Sequence, residues 1–270
     1  MARSFRDLRV KPGSKVDLRD WSTDDTFGLD DKDEGEARLD ELDDQLFELQ
    51  RNLWAEDQRS LLVVLQGMDA AGKDGTIRRV FRGLNPQGVQ VAGFKAPSGN
   101  ERDHDYLWRI HQVCPRRGEI GIFNRSHYED VSVVRVMELV PKAVWRRRYA
   151  HIRGFEQMLA DEGTAIVKLF LHISKDEQKA RFQERLDTPE KHWKFNPGDL
   201  EVRQRWDDFM DAYSEAIEET STDDAPWFVI PGDRKWARDV AIAEILVDRL
   251  EAMNPQPPPA DPAVADLVLE

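Results

Sequence analysis

The stretch from Gly67 to Thr76, GMDAAGKDGT, holds residue types at a spacing that can handle phosphate. Gly67 and Gly72 bracket four residues, Lys73 follows directly, and carboxylates stand at Asp69 and Asp74. Glycines let the backbone through Ala70, Ala71 and Gly75 curl so that successive N–H groups face phosphate oxygens, and a following helix turns its positive end toward them. Lys73 adds a mobile positive charge. The spacing alone is unremarkable by chance. An apolar run from Leu61 to Leu65 before it, and a helical pattern beginning at about Thr76, separate a phosphate loop from a glycine-rich turn with a solvated lysine.

Two residues depart from the usual loop. Asp74 occupies the position that normally gives a hydroxyl to Mg²⁺, with Thr76 two residues further on. Asp69 lies inside the loop, where a carboxylate repels phosphate unless a cation stands between them. Asp69, Mg²⁺ and phosphate oxygens together form a favourable arrangement; a loop aspartate making an Asx turn is the alternative. A second strand end, GEIGIFNRSHYED, places Asn124 where phosphoryl-transfer enzymes with a loop of this kind usually carry a metal-holding Asp. Arg125 follows at the sheet edge where ligands bind in open α/β folds. Glu129 and Asp130 can restore the missing carboxylate, or can be solvated residues of a helix start.

These residues need a frame. From Ser60 short apolar runs (LLVVLQ, VQVAGF, GEIGIF, TAIVKLFLHI, WFVI) alternate with helical patterns, which predicts a parallel sheet covered on both faces. Leu39, Leu42, Leu46, Leu49 and Leu53 place an apolar stripe on a helix leading toward Asp57. Ser174 and Glu177 have capping-box spacing and predict a helix start; Ser98 and Glu101 repeat it before a helix from about Asn100. The division expected is an acidic, exposed arm over residues 1–36, a main domain over 37–252 and a proline-rich tail over 253–270, with Leu267 to Leu269 able to dock.

The net charge of −13 is local: Asp17 to Asp44 carries −10 and Glu251 to Glu270 carries −4, which leaves +1 for the rest. Bases cluster between Pro141 and Arg153, where no acid occurs. Net charge therefore says little about the ligand, because local fields decide it. Cys114 is the single cysteine and excludes an internal disulfide or a Cys-type zinc site. His127 is assigned a structural or substrate-orienting role. No apolar run reaches a bilayer span and the N-terminus has no secretory core, so a cytoplasmic chain with no membrane contact is expected. A basic surface interleaved with aromatics is absent, which speaks against nucleic acid.

Four blocks in order, GMDAAGKDGT, FNRSHYEDV, SKDEQKARFQERLDTPEKHWKFNPGDLEVRQRWDDFMDAY and STDDAPWFVIPGDRKWAR, resemble the family-2 polyphosphate kinases from about Lys11 to Leu250. Asn124 with Glu129 is similar to the class III members, which phosphorylate both nucleoside mono- and diphosphates. The resemblance implies a P-loop kinase fold, three-layer α/β/α with a parallel sheet of about five strands, and a helical lid over about 181–205. It implies Mg²⁺, with Mn²⁺ as a substitute, a homo-oligomer (dimer or tetramer), and direct transfer between inorganic polyphosphate and AMP, ADP, ATP or their guanine counterparts. It puts Asp69 and Glu129 on the metal, Lys73 on the transferring phosphate and Arg125 on substrate oxygens. Arg181, Arg185, Lys191 and Lys194 then face the polyphosphate chain. For each lid base a salt bridge with Glu177, Glu184 or Asp187 is the alternative. An ATP-dependent nucleotide kinase, or a non-catalytic polyphosphate-binding regulator, are the competing functions.

Overall fold

The computed structural model describes residues 4–261. Five strands, β1 (Ser60–Gln66), β2 (Val89–Gly93), β3 (Ile120–Asn124), β4 (Thr164–His172) and β5 (Trp227–Pro231), form one all-parallel sheet in the order β2-β3-β1-β4-β5. β1 is buried along its whole length and β4 nearly so, as expected of central parallel strands covered on both faces. The chain runs from β1 outward to β2, returns to β3, then crosses β1 to reach β4. Strand order reverses beside β1, and a crevice opens above its carboxyl end. Leu65 pairs with Asn124 across β1 and β3, so these two strands deliver their following loops to the same level.

The helices are α1 (Lys32–Glu56), α2 (Lys73–Val80), α3 (Trp108–His111), α4 (Val133–Val136), α5 (Lys142–Asp161), α6 (Lys175–Asp187), α7 (Gly198–Gln204), α8 (Trp206–Thr220) and α9 (Lys235–Met253). α9 packs on α1 and α2 on one side of the sheet; α5 covers β4 and meets α8 on the other. This is the three-layer P-loop kinase arrangement expected from the sequence. Leu39, Leu42, Leu46 and Leu53 are buried, so the apolar stripe of α1 belongs to the core, with Leu49 partly buried against it.

Several local readings change. The acidic stretch before Ala37 is not an exposed arm throughout: Leu18 is fully buried, its N–H donates to Ser214 Oγ at 3.1 Å, and the Asp233 N–H donates to the Thr23 carbonyl. α1 starts at Lys32, where the Asp31 carboxylate accepts from the Asp33 and Glu34 N–H groups. Apolar residues that plug separate gaps have no period, which hid this strap from pattern reading. α2 starts at Lys73, earlier than Thr76. The Ser98–Glu101 capping box forms but caps only a 3₁₀ turn, Gly99–Asp103. Asp105 then accepts from the Leu107 and Trp108 N–H groups and restarts the chain as the one-turn α3. Ser174 Oγ accepts from the Glu177 N–H and α6 begins at Lys175 as read. Leu267 to Leu269 lie outside the described residues. Among the described residues no helix is long and apolar enough to cross a membrane.

Candidate functional site

β1 ends in the glycine-rich loop, and its backbone takes conformations that need glycine. Gly72 has φ 103°, and a Cβ there would stand 2.2 Å from Arg238 Nη1; at Gly67 a Cβ would stand 2.6 Å from the Leu171 carbonyl oxygen. Ala70 also lies at positive φ, 63°. Two buried arginines hold the loop from behind. Arg181 Nη1 donates to the Ala70 and Ala71 carbonyls at 2.9 Å each, its Nη2 donates to the Gly232 carbonyl at 2.6 Å, and Arg238 Nη1 donates to the Ala71 carbonyl at 3.2 Å. Planar trans peptides with carbonyls turned back put the Gly72 N–H on the cleft side, beside the free first-turn N–H groups of α2. Two guanidinium charges also sit directly beneath the cleft face of the loop.

Lys73 is buried and folds back over this loop, donating to the Gly67 carbonyl at 2.8 Å and the Met68 carbonyl at 3.2 Å. Burial, then the neighbouring Arg125 charge, pulls its ammonium down to about 8. Asp74 is exposed at the cleft and its Oδ1 accepts from Asn124 Nδ2 at 2.6 Å. Asn124 thus ties the end of β3 to the start of α2. Gly75 follows on α2, and Thr76 turns inward with a fully buried hydroxyl. It is therefore not on the ligand face, because the helix begins three residues earlier than its pattern indicated.

Arg125, at φ 63°, is the centre of the charged cluster. Its Nη2 donates to Asp69 Oδ1 at 2.6 Å and its Nη1 to Glu129 Oε2 at 3.1 Å. Burial opposes the Arg125 charge, but Glu129 and Asp69 more than offset that and hold its pKa above the ordinary value. Of the two carboxylates open from sequence, Glu129 is the one in the site. Asp130 is buried the other way, 3.2 Å from Arg148 Nη1 and 3.8 Å from Arg109 Nη2, with its pKa raised by burial. Two hard carboxylates on one guanidinium, beside a phosphate loop, suit Mg²⁺, which takes one or two carboxylates and completes its shell with phosphate and water. No larger metal-binding cluster occurs among the described residues.

Beneath this cluster lies a closed polar core. Lys168 Nζ donates to Glu156 Oε2 at 2.5 Å and to the Thr220 carbonyl at 2.8 Å; the Tyr128 hydroxyl donates to Glu156 Oε1 at 2.8 Å. His127 Nε2 lies 3.3 Å from the same Oε1, and its ring is fully buried. Burial disfavours the Glu156 charge, yet Lys168 holds its pKa below the usual carboxylate range. His127 and Tyr128 anchor the turn that carries Arg125 and Glu129, which fits the structural one of the two roles read for His127.

The lid residues separate into different groups. Arg181 does not face a polyphosphate channel: it is buried, spends its donors on loop carbonyls, and its Nε donates to Glu177 at 2.7 Å. Its i, i+4 spacing with Arg185 was correct for a shared face, but the helix lies against the loop there, so the first arginine becomes a strut. Arg185 reaches toward the cleft side, 3.9 Å from Asp199 and over the Phe182 ring. Lys191 pairs with Glu184 at 2.5 Å, the surface salt bridge that sequence left open. Lys194 ends the 3₁₀ turn Pro189–Lys194, and its side chain lies outside the described atoms.

Sequence reasoning missed three contributors. Asp199, at the start of α7, lies 3.9 Å from Arg185, and its pKa is driven up to about 6, first by burial and then by the Asp69 charge. The phenol of Tyr213 on α8 is raised by burial and then by Glu129, and forms a wall of the cluster. Arg238 stands in the GDRKWAR stretch, where nothing distinguishes a buried arginine from a solvated one.

The family model described as Polyphosphate kinase 2 matches residues 29–258. The chain is 55% identical to the AMP/ADP-polyphosphate phosphotransferase of Meiothermus ruber, over 98% of this chain and 100% of the relative. It is 45% identical to the ADP-polyphosphate phosphotransferase of Rhodopseudomonas palustris, over 96% and 93%. The crystal structure of polyphosphate kinase 2 from Arthrobacter aurescens is similar with a TM-score of 0.92 at 45% identity, covering 98% of this chain and 95% of that one.

Proposed function

We propose, from the premise that this chain belongs to the polyphosphate kinase 2 family, that it transfers phosphate between inorganic polyphosphate and nucleoside mono- and diphosphates of adenine and guanine. The observation that carries this reading is Arg125 bridging Asp69 of the loop and Glu129 of the β3 turn. It brings a polyanion cradle and two carboxylates to one point at the carboxyl ends of β1 and β3. The names of the relatives, which specify AMP and ADP, favour the same acceptors.

In-line transfer breaks a P–O anhydride bond of the donor chain and forms a new one to a phosphate oxygen of the nucleotide. That oxygen is already ionised, so the step needs no general base and no phosphoenzyme. The loop N–H groups and Lys73 hold the transferring phosphoryl group and neutralise its equatorial oxygens. Arg125, the most exposed charge of the cluster, orients donor and acceptor oxygens. Asp69 and Glu129 would hold Mg²⁺ (or Mn²⁺), which would supply further neutralisation of phosphate charge. Arg185 borders the path of the donor chain, and Lys191, once released from Glu184, adds a second positive charge to it. The working molecule is a cytoplasmic homo-oligomer.

A panel of AMP, ADP, GMP and GDP against polyphosphate or ATP, with Mg²⁺, Mn²⁺ or a chelator, tests the reading. Product from polyphosphate that the chelator abolishes is expected. Product from ATP alone assigns the chain to ATP-dependent nucleotide kinases, and binding without turnover makes it a regulator.

A further inference from the structure

Gln178 on α6 is fully buried between the lid and the phosphate loop. Its amide nitrogen donates to the Asp69 carbonyl at 2.8 Å. Its amide oxygen accepts from Arg203 Nη1 of α7 at 3.1 Å, and the same Nη1 donates to the Lys175 carbonyl at 2.6 Å. Asp69 in turn reaches Arg125 through its carboxylate. The path therefore runs from lid to loop to catalytic guanidinium with one side chain at each step. A primary amide suits the middle position because it accepts on one side and donates on the other, and a buried amide whose two ends are both engaged has a single orientation.

We propose that Gln178 is a positioning residue that makes seating of the lid arginine, Arg203, and setting of Asp69 a single event. When Arg203 leaves, the amide oxygen loses a charged donor in a dry environment and the amide is free to rotate. The Asp69 carbonyl then loses its donor as well. The backbone at Asp69 slackens, although Arg203 does not touch it, while Arg181 and Arg238 still hold the Ala70 and Ala71 carbonyls. With the lid seated by a bound donor chain, the loop is ordered; with the lid open, it is not. This rests on the phosphotransferase reading for its kinetic consequence only, since the coupling itself is a property of the free protein.

Hydrogen–deuterium exchange of the full chain, read on peptides spanning 67–72 and 189–205, tests the coupling without turnover. Arg203 is only half-buried, so Arg203→Met is expected to fold, and it should raise exchange in both peptides, about tenfold in the loop. Gln178→Glu keeps an acceptor for Arg203 but removes the donor to Asp69, so it should loosen the loop and leave the lid seated. In transfer assays both variants should raise KM for polyphosphate, and the double variant should be no worse than the more impaired single one. Loop exchange unchanged in Arg203→Met, or fully multiplicative effects in the double variant, overturns the proposal. If the native chain transfers no phosphate, the exchange result still decides the coupling, and only the functional reading falls.

Discussion

Replacing Lys73 by Met separates its role in chemistry from its effect on stability. The ammonium is buried in the free protein with its pKa drawn from 10.5 to about 8, a cost of about 3 kcal/mol at neutral pH. Methionine removes that cost but leaves the Gly67 and Met68 carbonyls without a donor, which returns about 1–2 kcal/mol. The variant should therefore be more stable than the native chain at pH 7 by about 1–2 kcal/mol. The sign of the pH dependence follows from proton counts. Between the folded and unfolded pKa values the unfolded chain holds the extra proton, so raising pH through 8 and beyond stabilises the native protein and not the variant. The advantage of Lys73→Met should shrink and then reverse toward pH 10. Urea unfolding of both proteins at neutral and alkaline pH, without substrate, measures this directly. Transfer activity should fall by about 10²–10³-fold at the same time. A variant that is less stable at both pH values by the same amount would refute a buried, charged Lys73.

Arg125→Met leaves Asp69 and Glu129 without the guanidinium that bridges them, and the transfer rate should drop by about 10²-fold, with the loss read in kcat as well as KM. Lys168→Met strands the Glu156 charge in the interior, so chemical denaturation should show a loss of about 3–5 kcal/mol, partly restored by adding Glu156→Gln. Gly72→Ala forces a Cβ onto Arg238 at φ 103°; a stability loss of about 1–3 kcal/mol, with weakened phosphate binding by calorimetry, is expected.

The sheet and the loop were legible because they depend on local order: LLVVLQ can only be buried on both faces, and the glycines mark backbone positions that no other residue fits easily. Residue types alone left Glu129 and Asp130 open and only the family resemblance picked Glu129, since the 3₁₀ turn at His127–Asp130 sends adjacent carboxylates in opposite directions. Arg181 was misread for a related reason. Spacing fixes which face of α6 an arginine lies on, whereas the packing partner of that face is the glycine-rich loop at Ala70 and Ala71, far away in the chain. Asp199 and Tyr213 reach the site from α7 and α8, one from a polar helix start and one from an apolar periodic stretch, neither of which carries a chemical signature. The Leu18 to Leu29 strap was hidden by its acidic composition, although four scattered apolar side chains in such a stretch are themselves a docking signal.

Phosphorus NMR of ADP mixed with polyphosphate, Mg²⁺ and the native chain, with no ATP present, is the most direct measurement. The resonance of a new nucleotide γ-phosphate should grow as the polyphosphate end groups change, and Lys73→Met should all but abolish it. A native chain that leaves the ADP spectrum unaltered, or a Lys73→Met chain that converts ADP as fast as the native one, contradicts the loop as the place where phosphate is transferred.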